Sequence, residues 1–408
     1  MVDIGNLGGQ QIFARHINNA GEIVGVGQTA QGNFEAFIAT NGQLITLGGL
    51  GGTDYPRTKG MNNLGEVVGV STLIDGNGEE IYRAFLWSNG LTQDLGTLGG
   101  DYSEATGIND AGQIVGEAED SDGNYRAFLY SSGSMLDLGT LGGSESFAYA
   151  INNPGHVVGY AETAEGEYRS FKFVDGVMVE LDLPQNAYVQ QINDAGQMAG
   201  GRWNPETSEF HAFLYDGKSL EDLAPIFQSL GISASGVYDM NSQGHVVGWG
   251  QGGQGFGSFN IPFLYKNGTV HDVKELIEDD FGWTISAVHG INDSGQMAAT
   301  AYDFASAKFR CVLLSPVGDD PAGEIDNLIL RIEELIANGH VADRDVKPSL
   351  KMLQDAIQAI NVGDHAEAIS KLTAVINHTK ALLRSRRISA AVANELIDSA
   401  QSIIDMLK

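Results

Sequence analysis

"DLGTLGG" stands at residues 94–100 and, letter for letter, again at 137–143. An identical heptapeptide at such a spacing marks a copied unit, and the period of the copy decides the fold. A second string fixes that period. It reads INNAG at 17–21, MNNLG at 61–65, INDAG at 108–112, INNPG at 151–155, INDAG at 192–196, MNSQG at 240–244 and INDSG at 291–295. A third string follows each copy: AF at 36–37, 84–85, 127–128 and 212–213, SF at 170–171, PF at 262–263 and CV at 311–312. The chain therefore carries seven repeats, their asparagines being Asn18, Asn62, Asn109, Asn152, Asn193, Asn241 and Asn292.

The third copy serves as template. SEATGI is a candidate inner strand, and NDAG a tight turn in which Asn can bond backbone two residues on and Gly supplies a positive φ. QIVGEAE and YRAFLY alternate as strands do, SSGS turns the chain, and MLDLG is a fourth, outer strand. Four short antiparallel strands in about 45 residues is one propeller blade. A helical repeat of that length would show a 3.6-residue period and few glycines. The seventh copy ends at KFRCVLLSP, 308–316, without its outer strand, whereas the chain begins with VDIGNLGG, 2–9, which reads as that missing strand. The expectation is an all-β, seven-bladed propeller over residues 1–318, closed by its N-terminal strand, with Leu98 and Leu141 packed between blades. The repeated TLGG lacks the Lys-Ser/Thr and following helix of a phosphate loop, so it is read as the crossing between blades.

Composition changes after a short DDPAGE segment at 319–324, taken as the linker. Of 54 glycines, 51 precede residue 321. Ile325, Leu328, Ile332 and Leu335 share a helical face, as do Leu350, Leu353, Ile357 and Ile360, and Ile369, Leu372 and Ile376. Asp364 with Glu367 forms a capping box, and a last helix opens near Ser389. Residues 325–408 are thus expected to form a small all-α bundle of four helices. The net charge of −29 falls on the repeats: the tail holds 10 basic and 12 acidic residues, leaving 13 and 40 before it. That balance argues against nucleic acid and anionic membrane as partners. No apolar run approaches the roughly 18 residues of a membrane span, so no membrane insertion is expected. The start shows no basic-then-apolar leader, so no signal peptide is visible in this chain. The single Cys311 excludes an intrachain disulfide.

AFLY followed by DLGTLGG and by IN-x-x-G-Q-x-V-G resembles the HAF-repeat family of bacterial extracellular proteins; HAFLY itself stands at 211–215. The tail, SLKMLQDAIQAINVGDHAEAISKL at 349–372, resembles a FIMAH domain. These resemblances imply an extracellular location, secreted or at the cell surface, and no particular activity. Repeats five to seven depart from the family pattern by losing TLGG.

No HExxH, GxSxG, phosphate-loop or CxxC string is present. His156 and His245 take a repeat position held by Gln or Glu elsewhere, His211 takes the slot of Arg83, Arg126, Arg169 and Arg310, and His289 falls on the inner strand of blade seven. Structural roles are expected for all of them. Asp120, Asp122 and Asn124 in EDSDGN alternate oxygens about a Gly, as calcium loops do, although a polar turn uses the same residues; Asp75, Asn77 and Glu79 are similar. Apart from this Ca²⁺ no cofactor is implied.

Loop variation concentrates in blades five to seven. RWNPETSEF at 202–210, WGQGGQGFGSF at 249–259 and KELIEDDFGWT at 274–284 hold Trp203, Trp249 and Trp283, whereas Trp87 shares a packing slot with Tyr130, Tyr215 and Tyr265. Tryptophan faces stack on sugar rings or anchor a protein partner, and Asn204, Glu206, Gln251, Gln254, Asp279 and Asp280 can hydrogen-bond sugar hydroxyls. The sequence therefore predicts a monomeric binding module for a glycan or surface polymer, or for a protein partner. The alternatives are a propeller lyase or hydrolase acting on polysaccharide and a structural scaffold. Each tryptophan taken singly can instead be inter-blade core.

Overall fold

The computed structural model describes residues 1–407 except 41, 54, 253–258, 278–281, 317–324, 326–327, 330–331, 333–334, 337–340 and 362–363. The chain forms two compact units, Met1–Ser315 and Pro316–Lys408. The expected linker at 319–324 lies outside the described residues, as do Gln254, Asp279 and Asp280.

The first unit is a seven-bladed propeller of four-stranded antiparallel sheets. In blade three the strands are Gly99–Ile108, Ile114–Asp120, Tyr125–Ser131 and Ser134–Asp137. Six blades are built from consecutive strands. The seventh takes Val2–Gly5 as its outer strand beside Lys308–Leu314, with Val2 opposite Leu313 and Asp3 opposite Val312. Asp3 also lies 3.6 Å from the Arg310 guanidinium. The closure leaves no inner or middle strand of blade seven unpaired.

The opening heptapeptide is the crossing between blades. Asp94 ends an outer strand and its carboxylate accepts from Gly96 N (2.8 Å); Thr97 Oγ1 accepts from Gly99 N and donates to Gly100 O (2.9 Å). Gly99 has φ +124°, a conformation that suits only glycine. Leu98 packs against Val68 and Ala84 of one blade and Ala105 and Ile114 of the next, and Leu141 repeats this one blade on. Two of the crossings that lack TLGG carry short helices: Ala224–Ser229 before blade six and a 3₁₀ turn, Val273–Leu276, before blade seven. Phe227 of the first packs edge-on against Phe263, centroids 4.8 Å apart.

Six of the seven blades centre their core on one phenylalanine. Phe37, Phe85, Phe128, Phe171, Phe213 and Phe263 are wholly buried, and Val312 fills the slot in blade seven. The second strand passes so close to the first that a Cβ on Gly116 would stand 2.0 Å from the Glu104 carbonyl. On Gly25 it would also meet the Phe37 ring at 2.9 Å. The glycine thus makes room for both the neighbouring strand and the phenylalanine. Blade seven replaces the pair together, with Ala299 opposite Val312.

The seven turn asparagines tie the blades into a ring. Each is nearly wholly buried. In blade three Asn109 Oδ1 accepts from Ala111 N and Gln113 N, while its Nδ2 donates to Gln113 Oε1 and to the carbonyl of Asn152 in the next blade (3.1 Å). The same inter-blade bond runs from Asn18 to Asn62, Asn62 to Asn109, Asn152 to Asn193, Asn193 to Asn241, Asn241 to Asn292, and Asn292 back to Asn18, at 2.9 to 3.3 Å. The sequence foresaw the turn but not the reach to the next blade.

The second unit is helical: Asp343–Asn361, His365–Arg384 and Ala390–Met406, with Ile325, Leu328, Ile332 and Leu335 also helical and buried. Asp364 Oδ1 accepts from Glu367 N and Ser389 Oγ from Val392 N, the expected caps. Arg387 bonds the buried carboxylate of Asp345 at 3.0 Å. No helix among the described residues is long and apolar enough to cross a membrane.

Candidate functional site

Strand register places one pair of facing residues at the same level in every blade, on the first two strands beside the central channel. The pairs are Phe13–Val26, Arg57–Val70, Glu104–Glu117, Phe147–Tyr160, Tyr188–Gly201, Gly236–Trp249 and Ala287–Thr300. The backbone repeats and the chemistry does not, which is how a symmetric scaffold acquires an asymmetric site.

Blades two to five form an aromatic wall. Ring centroids run Tyr82–Tyr102 6.5 Å, Tyr102–Tyr125 5.5 Å, Tyr125–Phe147 6.0 Å, Phe147–Tyr160 4.8 Å and Tyr160–Tyr188 5.8 Å. Such spacings are favourable tilted and offset geometries that fix the rings in place. All but Tyr82, which is exposed, are half-buried. Carboxylates are set among them. Tyr102 Oη donates to Glu104 (2.8 Å), which also pairs with Lys59 (2.7 Å), and Tyr168 Oη donates to Glu145. Burial, reinforced by the Glu104 carboxylate across the strand, pushes Glu117 up to about 7; Lys59 opposes this.

The wall on blades six, seven and one is different. Arg15 Nη1 lies 3.4 Å from His289 Nε2, and the His289 ring packs on Tyr238 at 4.6 Å. Burial, with Arg15 beside it, holds His289 down at about 4; burial, with His289, Arg15 and Lys59 around it, holds His16 at about 3. Both imidazoles are neutral at physiological pH. Toward the turn asparagines the channel opens into a cavity of about 230 Å³, lined by His16, Lys59, Thr106, Tyr149, Gln191 and Asp239 among others. Asp239 accepts from Ile291 N and Met240 N, yet burial raises it to about 7.

The predicted tryptophans fall at three different levels. Trp249 lies on the second strand of blade six, in the slot that Glu117 and Tyr160 occupy in blades three and four; a Cβ on Gly236 would stand 2.5 Å from its Nε1, so the indole lies over that glycine. Trp203 sits two residues farther along its strand, edge-on to Phe210 at 5.0 Å. Trp283 opens the inner strand of blade seven with Arg310 over its ring at 5.2 Å. All three are half-buried. Asn204 Oδ1 caps its turn by accepting from Glu206 N (3.0 Å), and the Glu206 side chain is exposed. Trp87 is buried with Tyr130, Tyr215 and Tyr265, as expected.

In the DSDGN loop the oxygens serve the turn. Asp120 Oδ1 accepts from Asp122 N and Asn124 N, both 2.9 Å, and Oδ2 from Arg126 Nε at 3.1 Å; the Asn124 N–H holds the Asp120 carboxyl down at about 2, helped by Arg126. Asp75 caps its loop in the same way, through Asn77 N and Glu79 N. Among the described residues no three His, Cys, Asp or Glu side chains are arranged to share a metal ion. His156 and His245 stand 3.5 and 3.4 Å from the turn asparagines, doing the work of Gln113 in blade three. His211 is buried, 3.8 Å from Glu209.

The aromatic wall carries a signal in the sequence. The residue two before each AF is Phe34, Tyr82, Tyr125, Tyr168, Phe210 or Phe309, with Asn260 alone breaking the series. In the structure several of these rings reach the next blade, Tyr125 to Phe147 and Phe309 to Phe13 on its inner strand and Phe34 to Tyr55 just before it.

No curated protein matches the sequence. Among solved structures the chain is similar to the β-propeller domain of the Trilobed protease from Pyrococcus furiosus, at 9% identity and TM-score 0.48, over 75% of this chain and 96% of that one. It is also similar to a puromycin-hydrolyzing peptidase from Mycobacterium tuberculosis, at 10% and 0.49, over 76% and 52%, thus spanning about half of that protein. A Trypanosoma rangeli sialidase follows at 8% and 0.38, over 82% and 58%. These likenesses carry no inference about activity. Residues 325–405, in the helical unit, match the FIMAH domain family.

Proposed function

We propose that the propeller is an extracellular binding module of the HAF-repeat kind, holding a glycan or surface polymer on the aromatic wall of blades two to five. The observation that carries this reading is the unbroken series of ring contacts from Tyr82 to Tyr188. Half-buried rings already held by one another lose little freedom when a sugar stacks on them, and neighbouring carboxylates supply acceptors that orient hydroxyls. Trp249, in the equivalent register slot, is assigned to a continuation of this surface on blade six. Trp203 with Asn204 and Glu206, and Trp283, are assigned to the outer margin of the same surface. The test is a glycan array on the whole chain, followed by titration of the best ligand into Tyr160→Ala, Trp249→Ala, Trp203→Ala and Trp283→Ala, with a melting curve for each. Loss of affinity in folded Tyr160→Ala and Trp249→Ala is expected. An empty array, or full affinity in all four folded variants, removes the proposal.

A further inference from the structure

Glu117 is the one member of its carboxylate group left without a partner. Glu104 has Lys59 and the Tyr102 hydroxyl, and Glu145 has the Tyr168 hydroxyl. Glu117 faces Glu104 across the strand pair, is half-buried, and has no hydrogen bond or ion pair among the described residues. Its charge acts on the phenols of Tyr102, Tyr149 and Tyr160, and Tyr149 and Tyr160 lie 5.4 Å apart, with Phe147 4.8 Å from Tyr160 on the other side.

We propose that Glu117, with the neighbouring tyrosines Tyr102, Tyr149 and Tyr160, forms a subsite for an ammonium group, and that the ligand is an amine-bearing sugar. The inference rests on the glycan reading and narrows it. A half-buried carboxylate facing a second one is unfavourable on its own, and an added cation relieves both the desolvation and the repulsion. Tyrosine faces attract organic cations through the ring quadrupole. A bare metal ion asks for several oxygen ligands, whereas Glu104 and Glu145 are already engaged and no three-ligand group exists among the described residues. One carboxylate and several rings suit an ammonium carried on a carbon skeleton. The net charge of −29 favours approach of a cationic ligand. Burial and the facing Glu104 already hold the Glu117 proton up to about 7, so a bound ammonium would draw that proton off.

The test titrates the whole chain with a glucosamine tetramer, its fully N-acetylated counterpart and a lysine tetramer. The amine sugar is expected to bind about tenfold more tightly than the acetylated one, a difference typical of one desolvated charge contact. Glu117→Gln, which keeps shape and removes charge, should abolish that preference in a protein that still melts as a folded one. Tyr160→Leu should weaken both sugars. If the acetylated tetramer binds and the amine gives no gain, or if Glu117→Gln keeps the preference, the subsite is overturned while the glycan reading stands. Equal binding of the lysine tetramer overturns the assignment to a sugar. Binding of neither sugar, with an empty array, removes the glycan reading itself.

Discussion

Two levels of the same inner strands differ in one respect. At the turns all seven blades place an asparagine, and all seven asparagines make the same bond to the next blade. A few residues earlier, at the facing pairs beside the channel, no two blades are alike: Phe with Val, Glu with Glu, Gly with Trp. Where the repeat holds, the residues serve the scaffold. Where it fails at a position whose backbone does not change, side chains are free to serve a ligand. In a repeat protein the site is therefore sought at the variable slots of an invariant register.

The scaffold half of this contrast gives the largest effects. Deleting residues 1–5 removes the closing strand, its ladder to Lys308–Leu314 and the Asp3–Arg310 pair, and should cost several kcal/mol in denaturant unfolding. A truncation that unfolds with the full chain would place closure elsewhere. Asn109→Ala removes four hydrogen bonds at a buried position, and should cost about 3 kcal/mol, since buried groups are left unpaired. Asn153→Ala, in the next blade's turn but exposed, should cost only about 1 kcal/mol by the same measurement. Equal costs would mean that the buried ring adds nothing beyond the turn.

The channel half predicts the opposite sign. Folding raises the Glu117 carboxyl from 4.5 to about 7. Its favourable form in the folded state is the protonated one, so its contribution is fully present below about pH 4.5 and is lost as pH rises through 7. Glu117→Gln should therefore match the wild type in stability at pH 4 and exceed it by up to about 3 kcal/mol at pH 8, at 1.36 kcal/mol per pKa unit. Melting curves at the two pH values decide it, and a difference independent of pH would separate the residue from the buried pair. The smallest effect concerns the DSDGN loop. Asp120→Ala should lower the melting temperature by removing the cap and the Arg126 pair, and Asp122→Ala should leave it within about a degree, as for an ordinary surface change. A calcium-dependent rise in the wild type that vanishes in Asp122→Ala would assign these oxygens to an ion as well.

The scaffold was legible because every structural demand recurs seven times. The NDAG turn, the AF core pair and the truncated seventh copy each state their role by position, and the strand that completes blade seven was visible as a fragment at the start of the chain. The site was only half legible. Trp249 was expected in a loop, but Val246–Gly252 is a strand and its register sets the indole over Gly236. Glu117 carries no mark in the sequence, because two of the phenols its charge acts on, Tyr149 and Tyr160, belong to the next blade. Tyr149 and Tyr160 lie at most 43 residues away in sequence, yet only the ring geometry makes them neighbours. Contacts across blades are invisible to a reading that takes one repeat as its unit.

Every inter-blade asparagine bond points the same way round: donor on one blade, acceptor on the following one, with the last returning to the first. Each blade is thus a head-to-tail subunit with a complementary front and back, the arrangement that closes into a ring when the rotation per unit divides a full turn. The covalent crossings and the hydrogen-bonded circuit are two independent fasteners around the same circumference. Cutting the chain at any one crossing breaks only the first. New termini placed at another crossing, with the old ones joined, would leave the circuit intact, so the order in which blades are strung on the chain is separable from the order in which they stand in the ring.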